Sequence, residues 1–133
     1  MYMSKKNKAG FLLIKGETYP YDVLVSIGTT KEQILEYSKR KFIDCFTDEE
    51  ITALTDLPSK KGYTLMLHNR ALFLWLKHFP EKPEHYGFLA HEIFHAADLM
   101  LRRAGMSLSD DSDEAWAYQI DWLTKKIYQE FKI

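Results

Sequence analysis

Between Pro83 and Gly105 the chain carries one long amphipathic pattern, and this stretch limits the possible folds more than any other. Leu89, Ile93, Phe94, Ala97, Met100, Leu101 and Ala104 fall on one arc of a helical wheel, and His91, His95, Asp98 and Arg102 on the opposite arc. Pro83 suits the first turn of such a helix and Gly105 the residue just past its end, so the pattern predicts a helix over Glu84–Ala104. A helix with one apolar arc must lay that arc on a sheet or on other helices.

The rest of the chain supplies such partners. Phe11–Lys15 and Tyr19–Ile27, joined through Gly16-Glu17, are rich in β-branched and aromatic residues and read as a hairpin, with Pro20 at the start or edge of its second strand. Thr29 or Thr30 can cap a helix running to Phe42, and Thr47-Asp48-Glu49-Glu50 is a capping box opening a short helix from Asp48 to Thr55. Pro58 and a turn at Lys60-Lys61-Gly62 close this section. Tyr63–His68 and Ala71–Leu76 flank Asn69-Arg70 and read as a second hairpin. A buried helix over Ala71–Phe79 is the competing reading, because a short apolar run has no diagnostic period. A last helix is expected from Asp113 to Phe131, capped by Ser112 or Asp113. The expectation is an α+β fold, with a mostly antiparallel sheet packed on helices and a helix pair over residues 83–131. The 133 residues suit a single domain, and the polar residues 1–9 read as a frayed terminus.

Composition narrows the function. A hydrophobic content of 46% is ample for a packed core and excludes a wholly disordered chain. A net charge of −1 argues against a nucleic-acid partner. No apolar run is long enough to span a bilayer, and Phe11–Ile14 is too short for a signal-peptide core, so a soluble, cytoplasmic protein is expected. Cys45 is the only cysteine and reads as a small half-buried side chain. Any metal must therefore be held by nitrogen and oxygen ligands, as in open catalytic zinc sites.

Those ligands are present in His91-Glu92-Ile93-Phe94-His95. Residues four apart stack on one helical face, so the two imidazoles can share one zinc ion while Glu92 reaches a water beside it. An exposed helix face that happens to carry two histidines is the plainer alternative. A third ligand is sought downstream. Glu114, nineteen residues beyond His95, opens the last helix just before the apolar Ala115-Trp116-Ala117. It is the preferred candidate and Asp113 its rival. The competing explanation is that Asp110, Asp111, Asp113 and Glu114 simply favour a helix N-terminus.

The segments Leu89-Ala90-His91-Glu92-Ile93-Phe94-His95-Ala96-Ala97, Gly105 and Asp113-Glu114-Ala115-Trp116-Ala117-Tyr118 resemble the gluzincin branch of zinc metallopeptidases. More closely, they resemble small metallopeptidase-like proteins of phages and prophages, which carry an HE..HA helix, a glycine and an EA.AY helix. The resemblance covers residues 83–131. It implies a zincin-like fold, zinc on His91, His95 and Glu114, Glu92 as general base, and a peptide or protein as substrate. Larger gluzincins carry an Asp four residues after the Glu ligand; here Tyr118 stands there, leaving Asp98 and Asp121 as candidates to orient a histidine. Tyr118 is also a candidate oxyanion donor, with a core tyrosine as the alternative. Zincin-like folds bind substrate along an edge strand; Leu72–Leu76 is the candidate, with a central core strand as the alternative. Nothing in the spacing of His68, His78 and His85 ties them to the motif. The oligomeric state has no signal in the sequence, although Trp75, Trp116 and Trp122 could leave an apolar surface. A metal-stabilised interaction module that cleaves nothing is the reading from another class.

Overall fold

The computed structural model describes residues 10–41 and 46–133; Phe42, Cys45 and residues 1–9 lie outside them. Strand β1 (Gly10–Ile14) pairs antiparallel with β2 (Val23–Ile27). Helices α1 (Lys31–Arg40) and α2 (Asp48–Leu54) follow, then β3 (Gly62–Met66), β4 (Leu72–Leu76), α3 (Pro83–Arg103) and α4 (Asp113–Phe131). The sheet order is β1-β2-β4-β3; the central β2–β4 pair is parallel and both outer pairings are antiparallel. The result is an α+β fold with a four-stranded mixed sheet and four α-helices among the described residues.

The alternation of strand side chains creates two cores. Val23, Val25, Ile27, Leu72, Leu74 and Leu76 face α3 and α4, where they meet Leu89, Ile93, Ala97, Leu123 and Ile127. Leu24, Phe73 and Trp75 face the other way, toward Ile34 of α1, Leu54 of α2 and Leu57. Every residue of β2 and β4 is buried, as expected of strands covered on both faces.

Local signals explain most of the boundaries. Thr30 and Thr47 both cap their helices in full capping boxes, with Gln33 and Glu50 returning the bond. At the end of α3, Gly105 adopts a positive φ of 88°, its amide donates to Arg102 and the Met106 amide to Leu101, which is a Schellman ending. The turn between β3 and β4 includes Asn69 and Arg70, with Arg70 itself at φ 72°. Ala71–Phe79 is therefore not a helix.

Two expectations change. Leu72–Leu76 is not an edge strand, because β2 and β3 flank it; the edge beside α3 is β3. Its unbroken apolar run, with no polar residue in alternation, belongs to a strand covered on both faces. Phe94, placed on the apolar arc, is 39% exposed and lies at that arc's margin. Among the described residues no helix is long and apolar enough to cross a membrane.

Candidate metal and peptide site

The histidine motif lies in the middle of α3, where helical spacing stacks His91 and His95 on the side facing β3 and solvent. Their Nε2 atoms are 3.0 Å apart. Two imidazoles sharing a tetrahedral zinc at about 2.05 Å would hold their nitrogens roughly 3.3 Å apart, so the pair has the convergence that two metal ligands need. His91 has a side chain 66% exposed, open to an incoming ion.

Glu92 sits differently. It is only 6% exposed, and its Oε2 lies 4.0 Å from His91 Nε2. Its other oxygen accepts a 2.7 Å hydrogen bond from Thr64 Oγ1 on β3. The same hydroxyl lies 3.3 Å from the Glu92 backbone oxygen. Gly62, two residues earlier on the same face of β3, leaves the space that the Glu92 side chain fills: a β-carbon there would lie 2.7 Å from Glu92 Cγ. The carboxylate is thus clamped between helix and edge strand, with Oε2 on the side of His91. Gly62, Thr64, His91, Glu92, His95 and Asp98 are among the residues lining a hollow of about 350 Å³.

Asp98 lies one turn beyond His95. Both its oxygens accept from Arg102 Nε, at 2.8 and 2.9 Å, and Oδ1 also accepts from Trp116 Nε1 at 3.1 Å. It fastens α4 to α3 at the edge of the hollow. Asp121, the other candidate for orienting a histidine, pairs instead with Lys125 at 2.9 Å on the outer face of α4.

Glu114 and Tyr118 are brought together, but elsewhere. Both line a separate hollow of about 500 Å³ with Thr18, Tyr19, Gln119 and Trp122, and Tyr118 is 67% exposed. Tyr118 is therefore not a core side chain. The reason is rotational: Trp116, Gln119 and Leu123 turn inward, and a residue two positions before Trp116 is displaced by about 200° around the helix. Asp113 is exposed as well. Among the described residues no group of three or more His, Cys, Asp or Glu is placed to hold a metal ion. The donor chemistry of His91 and His95 thus suits a metal at two positions, with the Glu92 carboxylate near His91, and no third donor is gathered with them among the described residues.

The remaining histidines have other surroundings. His68 sits on Glu50, its amide 2.9 Å from Oε2 and its Nδ1 3.2 Å from Oε1. Burial pushes the Glu50 carboxyl up, but hydrogen bonds from Thr47 and His68 outweigh it and hold it below its ordinary value. His78 and His85 stack with centroids 5.2 Å apart at the start of α3. Desolvation holds His78 below the usual histidine range, aided by the charges of His85, Lys77, Lys61 and Lys82.

Sequence reasoning missed Gly62 and Thr64. The Lys60-Lys61-Gly62 pattern predicts a turn, whereas Gly62 is the first residue of β3. No local signal marks Thr64, because its partner is 28 residues away. Comparison with family models, with curated proteins and with solved structures yields no match.

Proposed function

We propose that the protein is a zinc-dependent peptidase of zincin-like type, with His91 and His95 as metal ligands and Glu92 as general base. The observation that carries this reading is the buried Glu92 carboxylate, held by Thr64 beside two converging imidazoles. A helix face with two chance histidines has no need of a buried acid locked to a neighbouring strand. Zinc, when bound, would supply a Lewis acid that makes water nucleophilic near neutral pH. Glu92 accepts a proton from the attacking water and passes it to the leaving amine. The edge strand β3 offers main-chain groups along which an extended peptide can pair next to the histidines. Glu114, the third ligand implied by the family resemblance, reaches this site only if the start of α4 turns; Asp98 already lines it.

The test uses zinc content and peptide-library digestion together. Wild type is expected to retain about one zinc per chain after dialysis and to cleave the library, consistent with a site that keeps an open position. Glu92→Gln is expected to keep the metal and lose cleavage, and His91→Ala to lose both. Zinc loss in Asp98→Ala or in Glu114→Ala identifies the third ligand. Wild type that holds no zinc overturns the reading. Identical digests from wild type and Glu92→Gln reduce the protein to a metal-holding interaction module.

A further inference from the structure

The hollow that takes Glu114 and Tyr118 has no part in the peptidase reading, and its lining has a chemistry of its own. Glu114, Tyr118 and Trp122 are spaced four apart, so they form one row along α4, about 12 Å from end to end. Ala115 and Gln119 form the neighbouring row, and Tyr19 joins them from the connection between β1 and β2. The polar tips of two of the rings are taken elsewhere. Trp122 Nε1 donates to Glu17 Oε2 at 3.1 Å, and the Tyr19 hydroxyl donates to Met106 Sδ at 3.6 Å. These two rings therefore offer the hollow their carbon surface, and Tyr118 adds a third ring that is 67% exposed.

Two polar groups stand among these rings without a partner. Gln119 is 5% exposed, yet its side-chain amide makes no hydrogen bond among the described residues. No polar side-chain atom of the described residues is both sealed from the surface and unpartnered, so this amide opens onto the hollow that it lines. A buried amide that the protein leaves unpaired is costly, and only what enters the hollow can satisfy it. Glu114 is the only charged side chain in the lining, and among the described residues no ion pair or hydrogen bond engages its carboxylate. The Lys126 ammonium goes to Glu17 instead, at 3.5 Å, and no cation lines the hollow to offset the acid.

Together these groups select a ligand. Aromatic surface beside an unpaired carboxylate attracts a cation, through the ring quadrupoles and the charge together. A quaternary ammonium suits the rings and the acid but has no donor for the Gln119 carbonyl. A guanidinium carries several N–H donors in a planar fork, enough for the carboxylate and the amide oxygen at once, and it stacks on aromatic faces. Its apolar stem can lie along the rings while the charged head stays with the acid. We propose that the hollow between Tyr19 and the Glu114-Tyr118-Trp122 row is a guanidinium-binding site, with Glu114 and Gln119 accepting from the ligand and the rings packing against it. The guanidinium belongs either to an arginine residue of a peptide or to free arginine. The site does not rest on the zinc or peptidase reading, and it uses the start of α4 in the orientation that it holds.

The test is binding, so it does not depend on turnover. The full-length, isotope-labelled protein is titrated with the Nα-acetyl methylamides of arginine, lysine and citrulline and with free L-arginine, and followed by NMR. The Trp122 indole N–H, assigned through Trp122→Phe, and the Gln119 side-chain amide report on the hollow itself. The arginine amide is expected to bind in the millimolar range, about fivefold more tightly than the citrulline amide, which has nearly the same shape but no charge. The lysine amide is expected to fall between them. Glu114→Gln and Gln119→Leu are each expected to shrink the preference for arginine over citrulline. Gln119→Leu removes an unpaired amide and keeps a side chain of similar bulk, so it is expected to fold and keeps the test open should Glu114→Gln fold poorly. Whether the blocked or the free arginine binds more tightly identifies the source. Equal affinities for arginine and citrulline, lysine bound as tightly as arginine, no shift at Trp122 and Gln119, or a preference unchanged in both variants overturns the proposal.

Discussion

Replacing Thr64 by valine isolates the bond that positions Glu92. The hydroxyl donates at 2.7 Å to a carboxylate that is 6% exposed. A hydrogen bond to a charged group contributes about 1.5–3 kcal/mol, and losing it leaves a buried charged oxygen short of a donor. The added methyl group recovers at most about 0.8 kcal/mol by burial. The net expectation is a loss of about 1–2 kcal/mol, which for a domain of this size is a fall in Tm of roughly 4–8 °C. Thermal and urea unfolding followed by circular dichroism measure it. A cycle with Glu92→Met removes the carboxylate while keeping a side chain of similar size, and the coupling energy is expected to reach about 1 kcal/mol. Coupling below about 0.3 kcal/mol, the range of additive sites, refutes the clamp. On the peptidase reading, Thr64→Val also lowers kcat more than it raises KM, because the base loses its fixed orientation.

Three other substitutions probe the surroundings. Gly62→Ala drives a β-carbon into Glu92 Cγ and is expected to cost about 1–3 kcal/mol by urea unfolding, with activity reduced alongside; a neutral result means that the side chain has room to move. Asp98→Ala strands the indole of the buried Trp116 and is expected to cost about 1–3 kcal/mol, with a shifted tryptophan emission; unchanged emission and stability would show that α4 docks without it. Glu50 is held below its ordinary value of 4.5, so its contribution to stability is present above that pH and is lost as pH falls through the lowered folded value. Glu50→Gln is expected to flatten this acid limb of a stability–pH profile, and an unaltered limb rejects the linkage.

The elements were legible because their signals are local. The capping boxes at Thr30 and Thr47, the stop at Gly105 and the four-residue spacing of His91 and His95 each depend on neighbours within a turn or two. Strand order was not legible. Leu72–Leu76 is apolar enough for any sheet position, and its place between β2 and β3 depends on a parallel pairing with residues about fifty positions earlier. The rotation of α4 was equally hidden. Trp116 and Glu114 are both plausible inward residues by sequence, and the Asp98 carboxylate receiving the indole is what shows which of them turns toward α3.

The two histidines and Glu92 are held by different parts of the fold. The two imidazoles converge through helical spacing within α3 alone, so they need no tertiary contact to meet. Glu92 owes its orientation to β3: the space at Gly62 and the hydroxyl of Thr64 set where its carboxylate lies. The start of α4 contributes to neither, and Glu114 faces another hollow. On the proposed reading, metal capture and base alignment are therefore expected to be separable by mutation, with zinc content and peptide cleavage as the two readouts. The strand that holds Glu92 is also an edge of the sheet, so on the proposed reading a peptide paired along β3 would act directly on the element that orients this carboxylate. A peptide that stiffens β3 would also restrain the carboxylate, linking substrate binding to the alignment of the base through one strand.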